Sequence, residues 1–306
     1  MLSDSKWSAA SVVFPLYGWP GLILFFLLLS GGLPVRADGL FFRVEGDALK
    51  EVSREELART LSLKTLVTEN PTTGKKATYQ GVDLIDLLNL GFGDRWKRYD
   101  AVKFVSRDGY QPLMTPKTIL AHRGLAAFRE DGRDGLNPFQ RGRGEMVDPG
   151  PFWVVWDVFE DPAAKSDPWV SWPWQLVGME LVRLDLEFPR AAPPADASEE
   201  VKRGFTAFLQ HCVKCHRING EGGDIGPELN YPVSVTEYWQ PAWLPKFIAD
   251  PRSVKWNSKM VGFYPGVQNR EAIIRDIVAY LNVMARHKIE PNGMSQSEVR
   301  LRFETQ

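Results

Sequence analysis

Thiols and imidazoles are scarce in this chain: two cysteines and four histidines in 306 residues. Both cysteines fall in one short stretch, Cys212-Val213-Lys214-Cys215-His216, so none remains for a structural disulfide. A structural zinc site needs four ligands at recognisable spacing. There is no second cysteine pair, and His211 and His287 make no finger pattern. Charge of one sign is also missing: the formal net charge is -1, which gives no support for nucleic-acid binding. Otherwise the composition is that of a globular protein, with 44% hydrophobic and 25% charged residues. At ~150 residues per domain the length suggests two domains.

What is present in place of dispersed cysteines is C-x-x-C-H, the attachment signature of a covalent c-type haem. Two thiols three residues apart add across two vinyl groups of one porphyrin, and the next residue places an imidazole under the iron. One helical turn starting at Cys212 presents all three groups to one side of a flat ring. A thioredoxin-like redox pair shares the cysteine spacing, but it belongs between a strand and a helix. Here the pair follows a helical segment and precedes the Gly-rich loop Gly220 to Gly226.

Residues 1–37 read as a signal peptide or a membrane anchor. The apolar core Gly21-Leu22-Ile23-Leu24-Phe25-Phe26-Leu27-Leu28-Leu29 is followed by the breaker Ser30 to Pro34 and a small-residue site at Ala37. The wider apolar stretch from Ala9 to Leu33 is long enough to span a bilayer, although Pro15, Gly18, Pro20 and Gly21 interrupt it. Either reading places the rest of the chain in the periplasm or on the outer face of the cytoplasmic membrane, where c-type haem is attached.

Residues 38–188 alternate short strands with short helices, which indicates an α+β domain rather than a doubly wound sheet. Expected strands are Leu40 to Val44, Leu66-Val67, Ala101 to Ser106, Phe152 to Trp156, and a last one marked by Val182, Leu184 and Leu186. Ser53 with Glu56 predicts a capped helix, Gly81 opens a helix over Val82 to Leu88, and Asp108-Gly109 predicts a hairpin turn. Arg129 to Met146 reads as an exposed mixed-charge loop, in which Arg129, Arg133, Arg141 and Arg143 are matched by nearby acids. The five tryptophans from Trp153 to Trp174 read as core packing beneath loops, and His122 as a surface or capped histidine.

Three stretches of this region, Tyr79-Gln80-Gly81-Val82-Asp83-Leu84-Ile85-Asp86-Leu87-Leu88, Val105 to Tyr110, and Gly150-Pro151-Phe152-Trp153, resemble the molybdopterin-binding fold of sulfite oxidase-type oxidoreductases. In that family a cysteine thiolate ligates molybdenum, and residues 38–188 contain no cysteine. The resemblance therefore implies a fold and an old pocket, without bound molybdopterin or molybdenum catalysis.

Residues 189–197, rich in Pro and Ala, read as a linker to a second domain at 198–306. Its order is a helix with Val201, Phe205, Phe208 and Leu209 on one face, then the motif, a glycine loop, a small helix stopped at Pro251, and a last helix from about Glu271. This all-α order resembles class I cytochromes c. The resemblance implies that the first and last helices cross at Gly204-Phe205 and Tyr280-Leu281. It also implies that the Pro227 carbonyl accepts the second imidazole N–H of His216. The sixth-ligand candidates are Met260, Met284, Met294, His211 and His287. Met284 lies on a buried helix face, His211 adjoins Cys212, His287 lies beyond the helix end, and Met294 is in the polar tail. Met260, in the loop Ser258 to Phe263, stands where the family keeps its ligand methionine. Trp256 either donates its indole N–H to a haem propionate or covers the ring.

The expected function is extracytoplasmic electron transfer by one covalent His216/Met260-ligated haem c. The α+β domain is then a docking module for a redox partner protein, a dehydrogenase or a respiratory complex. The alternative is an oxidoreductase subunit in which the sulfite oxidase-like domain binds a substrate or cofactor. A haem sensor would need an open sixth position, which Met260 fills.

Overall fold

The computed structural model describes residues 39–142, 144–263 and 267–291, which all fall in one compact unit. The signal-or-anchor expectation for 1–37, Arg143 and Met294 lie outside the described residues. Among the described residues no helix is long and apolar enough to cross a membrane.

The first half runs β1 Gly39–Val44, β2 Asp47–Ser53, α1 Arg54–Thr60, β3 Leu63–Glu69, β4 Lys76–Asp83, α2 Leu84–Phe92, β5 Ala101–Ser106, β6 Leu113–Met114 and α3 Pro116–Ala121. It continues through β7 Gly124–Glu130, β8 Arg133–Asp134, β9 Phe139–Arg141, β10 Glu145–Val147, β11 Trp153–Trp156, β12 Leu176–Val182 and α4 Leu184–Glu187. One sheet has the order β2-β1-β12-β5-β6, with β1 and β12 parallel. The second has the order β11-β7-β4-β3, with β8 on β7. The α+β class is therefore observed.

Several local expectations shift by a few residues. The helix expected to open at Gly81 begins at Leu84, because Val82 and Asp83 still pair with Ala126 and Leu125 and the Asp83 carboxylate caps the helix by accepting from Ile85 and Asp86 N–H. The last strand ends at Val182, and Leu184 and Leu186 belong to α4, where Leu186 is exposed. Arg129 to Met146 is not a loop. It holds the end of β7 and the β9–β10 ribbon, in which Phe139 and Val147 turn inward. The tryptophans divide: Trp153 and Trp156 are fully buried, whereas Trp169, Trp172 and Trp174 are half-buried. All four β11 residues are buried although the strand is last in its sheet. The segment 171–175 covers that edge, with Val154 N–H donating to Pro173 O and the two indoles donating to Trp172 and Ser171 carbonyls.

Of the two readings of His122, the capped one holds rather than the surface one. Its side chain is buried, with Nδ1 against Asp161 Oδ2 (2.5 Å), Nε2 against Asp167 Oδ2 (3.2 Å), and the ring edge-on to Trp156.

The second half is built from α5 Glu199–His211, a two-residue ribbon β13 Arg217–Ile218 with β14 Glu221–Gly222, then α6 Val235–Tyr238, α7 Leu244–Ala249, α8 Pro251–Val254 and α9 Arg270–Met284. It is helical, as expected, apart from that ribbon directly after His216. α7 ends at Ala249 with Asp250 as its C-cap, so the helix does stop at Pro251 as expected, and Pro251 then opens α8 at N1, where its missing N–H costs nothing. Ser198 caps α5 by accepting from Val201 N–H. Asn269 occupies the α9 N-cap in a left-handed conformation without a side-chain cap bond.

Helices α5 and α9 cross at Gly204. A Cβ there would lie 2.0 Å from Asp276 O and 2.8 Å from Tyr280 Cβ, so the backbone contact requires glycine. Gly204→Ala is expected to force the helices apart and cost about 1–3 kcal/mol, the usual range for overpacking. A thermal melt showing an unshifted midpoint would count against so close a crossing. Behind the crossing, Tyr280 Oη donates to Ala191 O (2.6 Å), and Glu221 accepts from Arg190 and Ala191 N–H, which holds 189–191 against the second half. Ala101, Leu113, Val182 and Phe188 share one apolar cluster with Phe208, Ile277 and Tyr280, so the two halves bury a common core.

Candidate haem-attachment site

The amphipathic face of α5 delivers Cys212 at its C-terminal cap, where Cys212 N–H still bonds to Phe208 O. The chain then makes one further turn, with Cys215 and His216 N–H both donating to Cys212 O (3.0 and 2.9 Å). Both cysteines are free thiols. Burial pushes the Cys212 thiol up to about 12 and the Cys215 thiol up to about 11, despite the opposing pull of Lys214. Thiols held protonated in this way are the reverse of a low-pKa thioredoxin-like pair.

His216 is fixed from two sides. Its Nδ1–H donates to Pro227 O at 2.9 Å, as the resemblance implied. A carbonyl can only accept, so the proton sits on Nδ1 and the Nε2 lone pair is free. Burial also holds the imidazole below its usual range, although the Pro227 bond opposes it, so the ring is neutral. Gly226 supplies the second constraint. A Cβ there would lie 2.3 Å from Cε1 and 2.5 Å from Nδ1 of His216, so the ring rests directly on the glycine backbone. A neutral, oriented imidazole beside two thiols is the donor set a c-type haem requires.

The residues that place Pro227 are not evident in the sequence. Glu228 Oε1 accepts from Asn219 and Asn230 N–H, and Oε2 accepts from Gly220 N–H. Asn219 and Asn230 are fully buried and bonded to each other (2.8 Å). Asn219 donates onward to Arg190 O and His287 O, and Asn230 to Met284 O. This polar staple ties the glycine loop to the end of α9. The only available signal was the position of Glu228 beside Gly226-Pro227.

Met260 is half-buried, with its N–H donating to Ser258 Oγ (3.2 Å). Its loop returns to the motif three residues later, where the Phe263 ring meets His211 at 4.6 Å. His211 is half-buried with its Nε2 enclosed and unpartnered, and burial pushes its imidazole down to about 4. Trp256 is largely exposed. Met284 is buried on α9, as its helix face predicted.

An α5–α9 crossing beside two thiols, with a carbonyl-oriented histidine after them, defines a covalent haem-binding domain. Residues 201–285 match the family model described as cytochrome c. That stretch is a c-type cytochrome domain, which implies haem c and haem-based electron transfer. No match to this chain was found among curated proteins. The cytochrome match leaves residues 39–188 outside it.

Proposed function

We propose that the protein is an extracytoplasmic electron carrier. One haem c is held by thioethers to Cys212 and Cys215 and ligated by His216 and Met260. The α+β half, with a sulfite oxidase-like fold that has lost the molybdenum-ligating cysteine, docks a redox partner. The observation that carries the reading is His216 itself: Nδ1–H committed to Pro227 O, the ring seated on Gly226, and Nε2 left for iron. When bound, the haem supplies reversible one-electron chemistry. The chain holds the ring, excludes water and keeps the imidazole neutral. A His/Met pair stabilises ferrous iron relative to two imidazoles. An export signal or anchor at 1–37 accounts for attachment outside the cytoplasm, and such partners meet over small, transient interfaces.

The test is spectroscopic. Purified protein is expected to show a covalent, low-spin haem whose sixth-ligand signature disappears in Met260→Ala. An unchanged spectrum in that variant would remove Met260 from the assignment. Metal analysis showing stoichiometric molybdenum would overturn the docking role of the first half in favour of an oxidoreductase subunit.

A further inference from the structure

The turn that carries the two thiols has one of its carbonyls closed by the first half of the chain. Cys212 O accepts from Cys215 and His216 N–H, Val213 O from Gly223 N–H at 2.6 Å, and Cys215 O from Gly226 N–H at 2.7 Å. Those donors all belong to the second half. Lys214 O differs, accepting from Gln111 N–H at 3.0 Å in the hairpin between β5 and β6. A carbonyl enclosed by protein needs such a donor. Gly223 does not supply it: its backbone lies so close that a Cβ would stand 2.3 Å from Lys214 O, yet its N–H goes to Val213.

The Lys214 side chain leads to the same half. Its Nζ donates to Ser171 Oγ at 3.3 Å, and Ser171 is buried in the segment that covers the β11 edge. Hairpin and segment are fastened to each other. Arg107 N–H donates to Gln175 O at 2.9 Å, and Trp174 Nε1–H to Asp108 Oδ2 at 3.0 Å. The hairpin also reaches the glycine loop, where Gly109 O accepts from Asp224 N–H at 3.1 Å. Asp224 in turn pairs with Arg217, the residue after His216, at 3.6 Å. Gly109 stands at φ +91°, and a Cβ there would meet Asp224 Cβ at 3.1 Å.

We propose that the first half completes the attachment site: Gln111, Ser171 and Gly109 are positioning residues that fix Lys214, and thereby where Cys215 stands relative to Cys212. The two thiols are anchored differently. Cys212 hangs from α5 through its bond to Phe208 O, whereas Cys215 follows the residue that the first half holds by backbone and side chain. Rotation of the Lys214 peptide would move Cys215 and His216 against a stationary Cys212. The inference rests on the haem attachment given under Proposed function, and it gives the α+β half a part in that site besides docking.

The experiment uses the full haem-loaded chain in the ferrous state, followed by NMR. The porphyrin ring current makes the shift of each cysteine Hα a reading of its position. In Ser171→Ala and in Gly109→Val the Cys215 Hα shift is expected to move while that of Cys212 stays. Hydrogen exchange at the Cys215 and His216 amides should quicken by about five- to tenfold in Ser171→Ala, the effect of one lost hydrogen bond. The Cys212 and Val213 amides, both bonded to Phe208 O, should keep their rates. Ser171→Thr, which retains the hydroxyl, should recover the parent values. A Cys215 shift unmoved in both variants would overturn the proposal. So would an equal quickening of every amide, α9 included, since loss of overall stability alone would give that. A parent chain that carries no covalent haem would instead sink the attachment reading on which the proposal rests.

Discussion

Gly226→Ala is expected to unseat His216 while leaving both thioethers intact. The added methyl would stand 2.3 Å from Cε1, 2.5 Å from Nδ1 and 2.8 Å from Nε2, above the ring face rather than at its edge. Gly226 cannot retreat, because its own N–H is bonded to Cys215 O at 2.7 Å and the next residues are held by the Asn219–Glu228–Asn230 staple. The imidazole is the softer partner and must swing, breaking the 2.9 Å bond to Pro227. Loss of such an orienting contact typically weakens metal binding by about 10–100-fold. The variant should therefore keep haem through denaturing electrophoresis yet show a high-spin fraction, which added imidazole reverses. A low-spin spectrum identical to the parent would mean that the ring does not rest on this glycine.

The contrast between Gly226 and its surroundings shows what a single sequence discloses. The haem motif was legible because its chemistry is local: thiols and imidazole must lie within one helical turn. The α5–α9 crossing was legible only through the resemblance to class I cytochromes c, which Gly204 suits because glycine permits close approach. The polar staple was not, since Asn219 finds its carbonyl partner 68 residues later at His287, and a buried asparagine looks in sequence like any turn residue. His122 is the same case, its carboxylates arriving 39 and 45 residues downstream. The β9–β10 ribbon was hidden by its charges. Arg141 lies over the Trp174 ring, while Phe139 and Val147 supply a sparse inward face. The first half meets Lys214 through the Gln111 N–H on its carbonyl and through Ser171 Oγ on its Nζ, partners too remote in the sequence to be read from it.

Lys103→Met is expected to cost about 3–5 kcal/mol, the usual cost of stranding a buried charge by removing its partner. Lys103 on β5 reaches Glu180 Oε2 on β12 at 3.0 Å and Glu187 Oε1 on α4 at 2.5 Å, and Glu180 also accepts from Gly46 N–H at 2.6 Å. Three segments of the first half thus converge on one ammonium. Burial alone would lower the lysine, but the attraction of Glu187 and Glu180 and their hydrogen bonds outweigh it and raise it. One cation cannot neutralise two carboxylates, so burial still leaves Glu187 above the usual carboxylate range, Lys103 offsetting only part. The signs give the pH dependence. The raised lysine adds stability that is full below its unfolded value and fades only as pH rises through the folded one. In the methionine variant Glu187, already raised by burial, loses the offsetting attraction of Lys103 and is expected to titrate further above its unfolded value. The variant's deficit should then be greatest above the folded value of Glu187 and shrink as pH falls through it toward the ordinary carboxylate range. Chemical denaturation at a series of pH values checks both the size and the slope. A variant as stable as the parent at pH 7, or one whose deficit grows on acidification, would contradict a buried triad. Because β5 leads into the hairpin that carries Asp108 and Tyr110, the same substitution should also loosen the hydrogen bonds of Gly109 and Gln111 to the attachment motif. Faster hydrogen exchange at Gln111 and Asp224 amides in the folded variant would register that loosening.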